Sequence, residues 1–435
     1  MRGPGSGLCL RVAVVGRQIT FDPDILETFD YRGWQAEHYD LLVVCAGIEF
    51  ADRAIRRPST WCRRINVRVP VLRPDVWQRD DVAGNLREAL RYVTGDEWAF
   101  EFNRWHSTPP IGSKQGRLDL GSPKSFAMAY SEGLDSRAVA ALSGPGDEAL
   151  CVRISDTSQQ RRPGDTPFAQ IPFDVSDHGS QESSFRSRGF QFAAVTAIAA
   201  HLSAIARIVV PESGQGALGP VLQPLHGAYR DYRNYPAFFR RMERFIRALL
   251  GSSAPYEQPR LWFTKGETLS AFLRLPGRTA DHLRDTRSCW QKRRVVNLGG
   301  SRRQCGLCAA CLLRRMSLHH AGVVEPADAY VVAKLGRGSA REALEAVPEG
   351  VDRTNMIDYG TSATRHLQAL ADMSRAPDTD LRRHAIEIAR ATTGESEIDT
   401  LAKLRRLLDA HAHEWRAFLE AQGQHSFLRR WMEER

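Results

Sequence analysis

The sequence has no apolar run approaching the roughly 20 residues that a helix needs to cross a bilayer, so a membrane-spanning protein is not expected. Its opening stretch, MRGPGSGLCLRVAVVG, is only briefly apolar and has no cleavage pattern. No signal peptide is read, and a cytoplasmic location is expected. No internal repeat is apparent, and the Gly-x4-Gly-Lys-Ser/Thr spacing of a Walker A loop is missing. Acid is in short supply: 51 Asp and Glu against 60 Lys and Arg leave a formal net charge of +9. That excess suits an anionic ligand or nucleic acid, although basic residues scattered among acids also describe a solvated face. Cys9, Cys45, Cys62 and Cys151 stand far apart and do not form a disulfide framework. They read as thiols in a reducing compartment.

What is present is a chain of 435 residues, 42% hydrophobic and 26% charged, enough for two or three globular domains. Residues 1–115 read as an α+β domain. A strand is expected at Val12–Ile19 and a helix at Tyr39–Arg57, broken by Pro58. Ile65, Val67, Val69 and Val71 alternate as a strand does, and Val82–Val93 is a helix stopped by Gly95. Trp98, Phe100 and Phe102 alternate again. Ser107–Pro123 is a turn-rich linker.

Beyond the linker, strands and helices alternate: strands at Ser125–Tyr130, Ala149–Ile154, Ala169–Val175 and Arg207–Val210, helices from Arg137 and over Phe190–Ala206. Alternation of this kind predicts an α/β fold with a parallel sheet. Residues 226–285 read as mostly helical and rich in arginine and aromatics. From about Glu325 onward the chain reads as helices, with Leu401, Leu404, Leu408, Trp415 and Leu419 forming a packing stripe.

The segment AYSEGLDSRAVA, from Ala129, places small and polar residues between a buried strand and a helix. Helix N-termini present unpaired amides and the positive end of a dipole, so such a turn suits phosphate. Ser131 and Ser136 add hydroxyls, and Asp135 is placed to hold magnesium against phosphates. An ordinary serine-rich turn explains the same residues without a ligand. A second cluster, Cys289, Cys305, Cys308 and Cys311, follows C-x15-C-x2-C-x2-C. Four thiolates, three in a tight knuckle eased by Gly306, suit a closed structural zinc site. An iron–sulfur cluster is the rival. His319 and His320 read as surface or packing residues.

The string Ser131-Glu132-Gly133-Leu134-Asp135-Ser136 resembles the Ser-Gly-Gly-x-Asp-Ser signature of the PP-loop ATP pyrophosphatases, with Glu132 standing where that family has its first glycine. Together with CGLCAACLLRR (Cys305–Arg315) and SFRSRGF (Ser184–Phe190), it is similar to the QueC-like branch, the cyano-deazaguanine synthases, over about 122–322. The resemblance implies a PP-loop domain of the HUP type at 122–322 with its zinc module at 289–311, followed by a helical extension over 323–435. It implies ATP and Mg as cofactors besides Zn. It assigns Ser131, Glu132, Gly133, Leu134, Asp135, Ser136 and Lys124 to ATP, and Asp135, Arg186 and Arg188 to catalysis. Glu212, Ser213 and Gln215, in VPESGQGALGP, correspond in place to the loop that reads the deazapurine base.

The implied chemistry is adenylation of a 7-deazaguanine carboxylate and transfer to an amine. Larger QueC-like proteins occur in antiviral-defence operons, and the added domains here are what a protein-sized amine acceptor would require, so the resemblance implies that the amine is the N-terminus of a partner protein from the same operon. Alternatives are free cyano-deazaguanine synthesis with ammonia, a tRNA-modifying PP-loop enzyme, and a non-catalytic zinc scaffold. Nucleic acid ranks behind a protein partner, and no membrane partner is expected.

Overall fold

The computed structural model describes residues 11–21, 33–58, 62–105, 124–131, 133–145, 148–153, 168–170, 173–175, 182, 184–225, 228–291, 297–298, 301–345, 347 and 352–433. The linker at 107–123 and Glu132 lie outside them.

In chain order the described elements begin with β1 (Ile19–Phe21), α1 (Ala36–Ala54), β2 (Arg64–Val71), α2 (Pro74–Trp77), α3 (Asp80–Thr94) and β3 (Glu97–Arg104). Next come β4 (Phe126–Ala129), α4 (Leu134–Ser143), β5 (Ala149–Arg153), β6 (Phe168–Gln170), β7 (Phe173–Val175) and α5 (Arg188–Leu202). They are followed by β8 (Ile208–Val209), α6 (Gly214–Leu222), α7 (Pro236–Leu250), β9 (Tyr256–Glu257), α8 (Lys265–Leu273) and α9 (Ala280–Arg284). A short ribbon, β10 (Asn297–Leu298) and β11 (Ser301–Arg302), precedes α10 (Ala309–His320). The end is helical: α11 (Ala340–Leu344), α12 (Arg353–Asp372), α13 (Asp378–Ala391), α14 (Glu397–Gln422) and α15 (Phe427–Glu433). No helix among the described residues is long and apolar enough to cross a membrane.

The chain forms two compact units, each assembled from separated segments. The first comprises 1–130, 147–210 and 238–257. It holds a five-stranded sheet in the order β6-β5-β4-β8-β9, with every pairing parallel. Strand order reverses between β4 and β8, the arrangement that places ligand loops after those two strands in open α/β sheets. Beside it, β2 and β3 pair in parallel with Ile65 opposite Trp98 and Val69 opposite Phe102. Buried leucines and valines of α1 and α3 pack with Phe190, Ala194, Ile198 and Leu202 of α5 and with Phe238 and Phe245 of α7. Because α5 is apolar on all sides it has to be enclosed.

The α/β class, the parallel sheet and the helical C-terminal region match expectation. Three local readings need correction. Val12–Ile19 is not a strand: Gln18 N–H bonds to Val14 O at 3.0 Å and Gly16 sits at φ +87°, making a turn before a short β1. Ala169–Val175 is two strands, and the second pairs antiparallel with β1. Pro172 between them cannot donate to a ladder. A fifth parallel strand, β9, lies inside the stretch expected to be helical.

The second unit comprises 131–146, 211–237 and 258–435, and two of the apolar clusters among its described residues bear on the site. In one, Leu134 and Ala138 of α4 pack with Leu269, Phe272, Leu283 and Leu318. In the other, the buried cysteines pack with Leu367, Trp415, Phe418, Leu419, Phe427 and Trp431. The expected stripe on α14 is seen in Leu404, Leu408, Trp415 and Leu419.

Candidate functional site

The chain leaves β4, enters the second unit at Ser131 and starts α4 with Gly133 as N-cap. The loop is held by its own hydroxyls. Ser131 N–H donates to Ser136 Oγ at 3.0 Å, the two serine oxygens are 2.9 Å apart, and Gly133 N–H donates to Ser131 Oγ at 3.2 Å. A Cβ on Gly133 would crowd Ser131 Oγ at 3.1 Å. Leu134 is an anchor: its side chain is buried in the core, so only its backbone can face a ligand.

Asp135, in the first turn of α4, forms an ion pair with the Lys265 ammonium. Glu212 Oε1 lies 3.9 Å from the same Nζ. Glu212 is held by Ser213 N–H at 3.2 Å and Asn234 Nδ2 at 3.0 Å. Burial, then the charge of Asp135, raises the Glu212 pKa well above the usual carboxylate range. Burial alone would lower the pKa of Lys265, but Asp135 and Glu212 outweigh it and raise it. Asp135 Oδ1 is buried with no hydrogen-bond partner among the described residues, and so is Ser213 Oγ. An orphaned carboxylate oxygen beside a second acid is an acceptor set that a hard cation fits.

Local sequence builds this cluster. In Glu212-Ser-Gly-Gln-Gly216, a Cβ on Gly214 would stand 2.2 Å from Leu261 O, and one on Gly216 would stand 2.1 Å from Glu212 Oε1. The two glycines let α6 start under the Glu212 carboxylate. Thr264 caps α8, and Thr264 and Glu267 form a reciprocal capping box that puts Lys265 at the first helical position. Lys265 N–H donates to Gln215 Oε1 at 2.7 Å. The amide group of Gln215 also reaches His411 Nδ1 at 2.9 Å, so a buried side chain expected to face substrate is engaged by protein at both ends.

Lys124, Arg186 and Arg188 belong to the first unit. Arg186 donates to Thr94 O at 3.0 Å, and the Arg188 guanidinium lies 5.0 Å from the Phe192 ring centre. Lys124 is half-buried just ahead of β4. The segment bearing both arginines is anchored: Ser187 N–H donates to Asp52 Oδ2 at 2.8 Å. Asp52 and Asp96 are themselves clasped by Arg57 and Arg63.

The Sγ atoms of Cys289, Cys305, Cys308 and Cys311 lie within 4.8 Å of one another, with Cys305 and Cys311 3.7 Å apart. Tetrahedral zinc with ligands at about 2.3 Å requires sulfurs slightly under 4 Å apart, so the set is compatible with zinc. Cys305 N–H points at Cys289 Sγ at 3.2 Å and Cys308 N–H at Cys305 Sγ at 3.3 Å. Gly306 adopts φ +89°, and a Cβ there would stand 2.5 Å from Val332 O, so only glycine makes the knuckle. Cys308 caps α10, which places Cys311 in its first turn, where the dipole favours thiolate. Hydrogen bonds from the neighbouring thiols push the Cys289 pKa down, whereas burial pushes Cys311 up. Arg314, one turn after Cys311 on α10, donates to Glu325 at 2.8 Å and to Thr286 Oγ1 at 2.6 Å. His319 packs edge-on against Phe418.

Sequence reasoning missed Lys265, Asn234, Thr264, His411 and Glu414. The one local signal was Thr-x-x-Glu at 264–267, which marks a helix start. No protein-family model matches the chain, and no curated protein matches its sequence.

Proposed function

We propose that the chain is a PP-loop enzyme of the QueC-like kind, which uses ATP to adenylate the carboxylate of a 7-deazaguanine and passes the acyl group to an amine. The observation that carries this reading is the half-buried Asp135, with one oxygen paired to Lys265 and the other buried without a hydrogen-bond partner among the described residues. It stands in the first turn of the helix that follows the serine-rich loop. The strand reversal between β4 and β8 adds support, because the segments following those two strands carry Asp135 and Glu212.

In the reaction, a substrate carboxylate oxygen attacks the α-phosphorus of ATP and pyrophosphate leaves. The amine then attacks the acyl carbon, AMP leaves, and the amine loses a proton. Asp135, through its unpartnered oxygen, would hold magnesium, and that ion would supply neutralisation of phosphate charge. Lys265 supplies fixed positive charge beside Asp135, and the amides of the first turn of α4, from Leu134 to Ser136, receive the pyrophosphate. Glu212, its neutral form favoured by burial, offers both a donor and an acceptor to a base edge. Roles for Lys124, Arg186 and Arg188 at the phosphates rest on the sequence motif. The zinc cluster is structural, since four cysteines leave no open coordination position. The amine is the N-terminus of a partner protein in an antiviral defence system, a step that rests on the added domains alone.

The test is incubation with carboxy-deazaguanine, ATP and magnesium. AMP and pyrophosphate should form, and Asp135→Ala should abolish both. A mass gain on the N-terminus of a co-expressed neighbour supports the protein acceptor, whereas free nitrile with ammonium supports the biosynthetic alternative. No AMP from wild-type protein with any of these overturns the enzyme reading.

A further inference from the structure

Lys265 is one of six lysines in the chain and sits at the first position of α8. What holds it there comes from α14, within the expected helical extension. On that helix His411 and Glu414 are three residues apart and share a face. Both are buried in the second unit.

His411 Nε2 faces Leu367 O at 2.9 Å. A carbonyl only accepts, so Nε2 carries the proton and Nδ1 is left as an acceptor. Burial keeps the ring neutral, with its pKa lowered to about 4. Nδ1 therefore receives an N–H from Gln215 Nε2 at 2.9 Å. This fixes the orientation of the Gln215 amide and turns its oxygen to the Lys265 N–H. Glu414 accepts from the hydroxyl of Thr264, the cap of the same helix. Even Gly266 is shaped by the contact, because a Cβ there would stand 2.6 Å from Glu414 Oε1 and 2.8 Å from His320 Cδ2. The cap of α8 and its second residue, Gly266, thus meet α14 directly, and Lys265 between them is reached from α14 through Gln215. Elsewhere α14 packs through Leu404, Leu408, Trp415 and Leu419, so packing alone does not call for a buried histidine, acid and amide.

We propose that His411 and Glu414 are positioning residues, acting through Gln215 and Thr264 to hold the Lys265 ammonium on Asp135. The proposal rests on the preceding reading for the use made of Lys265, but the placement itself can be measured without activity. The helical extension is on this account part of the site.

Brief reductive methylation of the full chain, read at Lys265 by peptide mass spectrometry against exposed Lys334, reports the pairing. An ammonium held on Asp135 is shielded from the reagent, so releasing it in His411→Ala and Glu414→Ala should speed Lys265 labelling about tenfold. Burial raises the Glu414 pKa to about 8, so it is mostly neutral at pH 7, and Glu414→Gln should restore wild-type protection. Should His411→Ala fail to fold, the two Glu414 variants decide. Unchanged labelling in the alanine variants overturns the proposal. So does an equal rise in Leu404→Ala, which loses packing on the same helix but none of the relay. ATP–pyrophosphate exchange on the same samples separates the two readings: wild-type protein inactive in exchange overturns adenylation, and the labelling result still judges the positioning.

Discussion

Two ionic clusters, a buried one in the first unit and a half-buried one in the second, answer the same problem in opposite ways. In the first unit Asp52 and Asp96 face Arg57 and Arg63, two charges against two. Both oxygens of each carboxylate are engaged, with Ser187 N–H and Arg63 N–H filling the remaining positions. In the second unit Asp135 and Glu212 share one lysine, an oxygen is left open, and Glu212 is pushed toward neutrality. The closed set has no capacity for a ligand and serves the fold. The open set keeps a carboxylate oxygen with no partner among the described residues, which is how a site differs from a brace. The cysteine cluster belongs with the open kind, since four thiolates in apolar surroundings need a cation.

The contrast can be broken in several ways. The largest effect should come from the cysteines. Cys308→Ser, or strong chelation, should cost at least about 5 kcal/mol of folding free energy in the second unit, seen as lost zinc in a colorimetric assay and a collapsed melting transition. Asp135→Ala should lower the AMP-forming rate by about a thousandfold, while the melting temperature barely falls because the acid pair is relieved. If the melting temperature instead drops steeply, the open cluster is a brace after all. Arg63→Ala should do the reverse: a loss of about 3–5 kcal/mol in denaturant unfolding, from leaving two buried aspartates to share Arg57 alone.

A smaller effect follows pH. Glu414 is raised from 4.5 to about 8, so the folded chain keeps a proton that the unfolded chain releases. Its contribution is complete below pH 4.5 and lost as pH climbs through about 8. His411, lowered to about 4, contributes above pH 6.5 and loses that contribution as pH falls through about 4. Stability in melting curves should therefore fall as pH rises from about 4.5 to about 8 by an amount worth at least about 1 kcal/mol, and Glu414→Gln should reduce that fall, the remainder belonging to Glu212, which burial raises in the same way. Smallest is Arg64→Ala: its pair with Glu97 is exposed on both sides, and a change under about 0.5 kcal/mol is expected. A larger change would mean that exposed pairs, not only the closed quartet, hold the first unit.

Much of the fold was legible because its signals are local. The alternation at 65–71 and the stop at Gly95, which takes φ +73° at the end of α3, are written in adjacent residues. So are the hydroxyl-laced turn after β4 and the cysteine knuckle. What escaped was set by contacts between distant segments. Nothing beside Lys265 announces Asp135, and nothing in the helical repeat of α14 separates His411 and Glu414 from solvent-facing polar residues until α8 is laid against them. The short β1 and β9 escaped for a related reason: three- and two-residue strands carry too little pattern to be told from their flanks.

Both units are stitched from non-adjacent lengths of polypeptide, and the thread passes from one to the other five times, at 130/131, 146/147, 210/211, 237/238 and 257/258. No single scission of the gene can therefore release either half intact. A nascent chain cannot complete its first half until residue 257 has emerged, by which time two pieces of the second half are already waiting for their C-terminal complement.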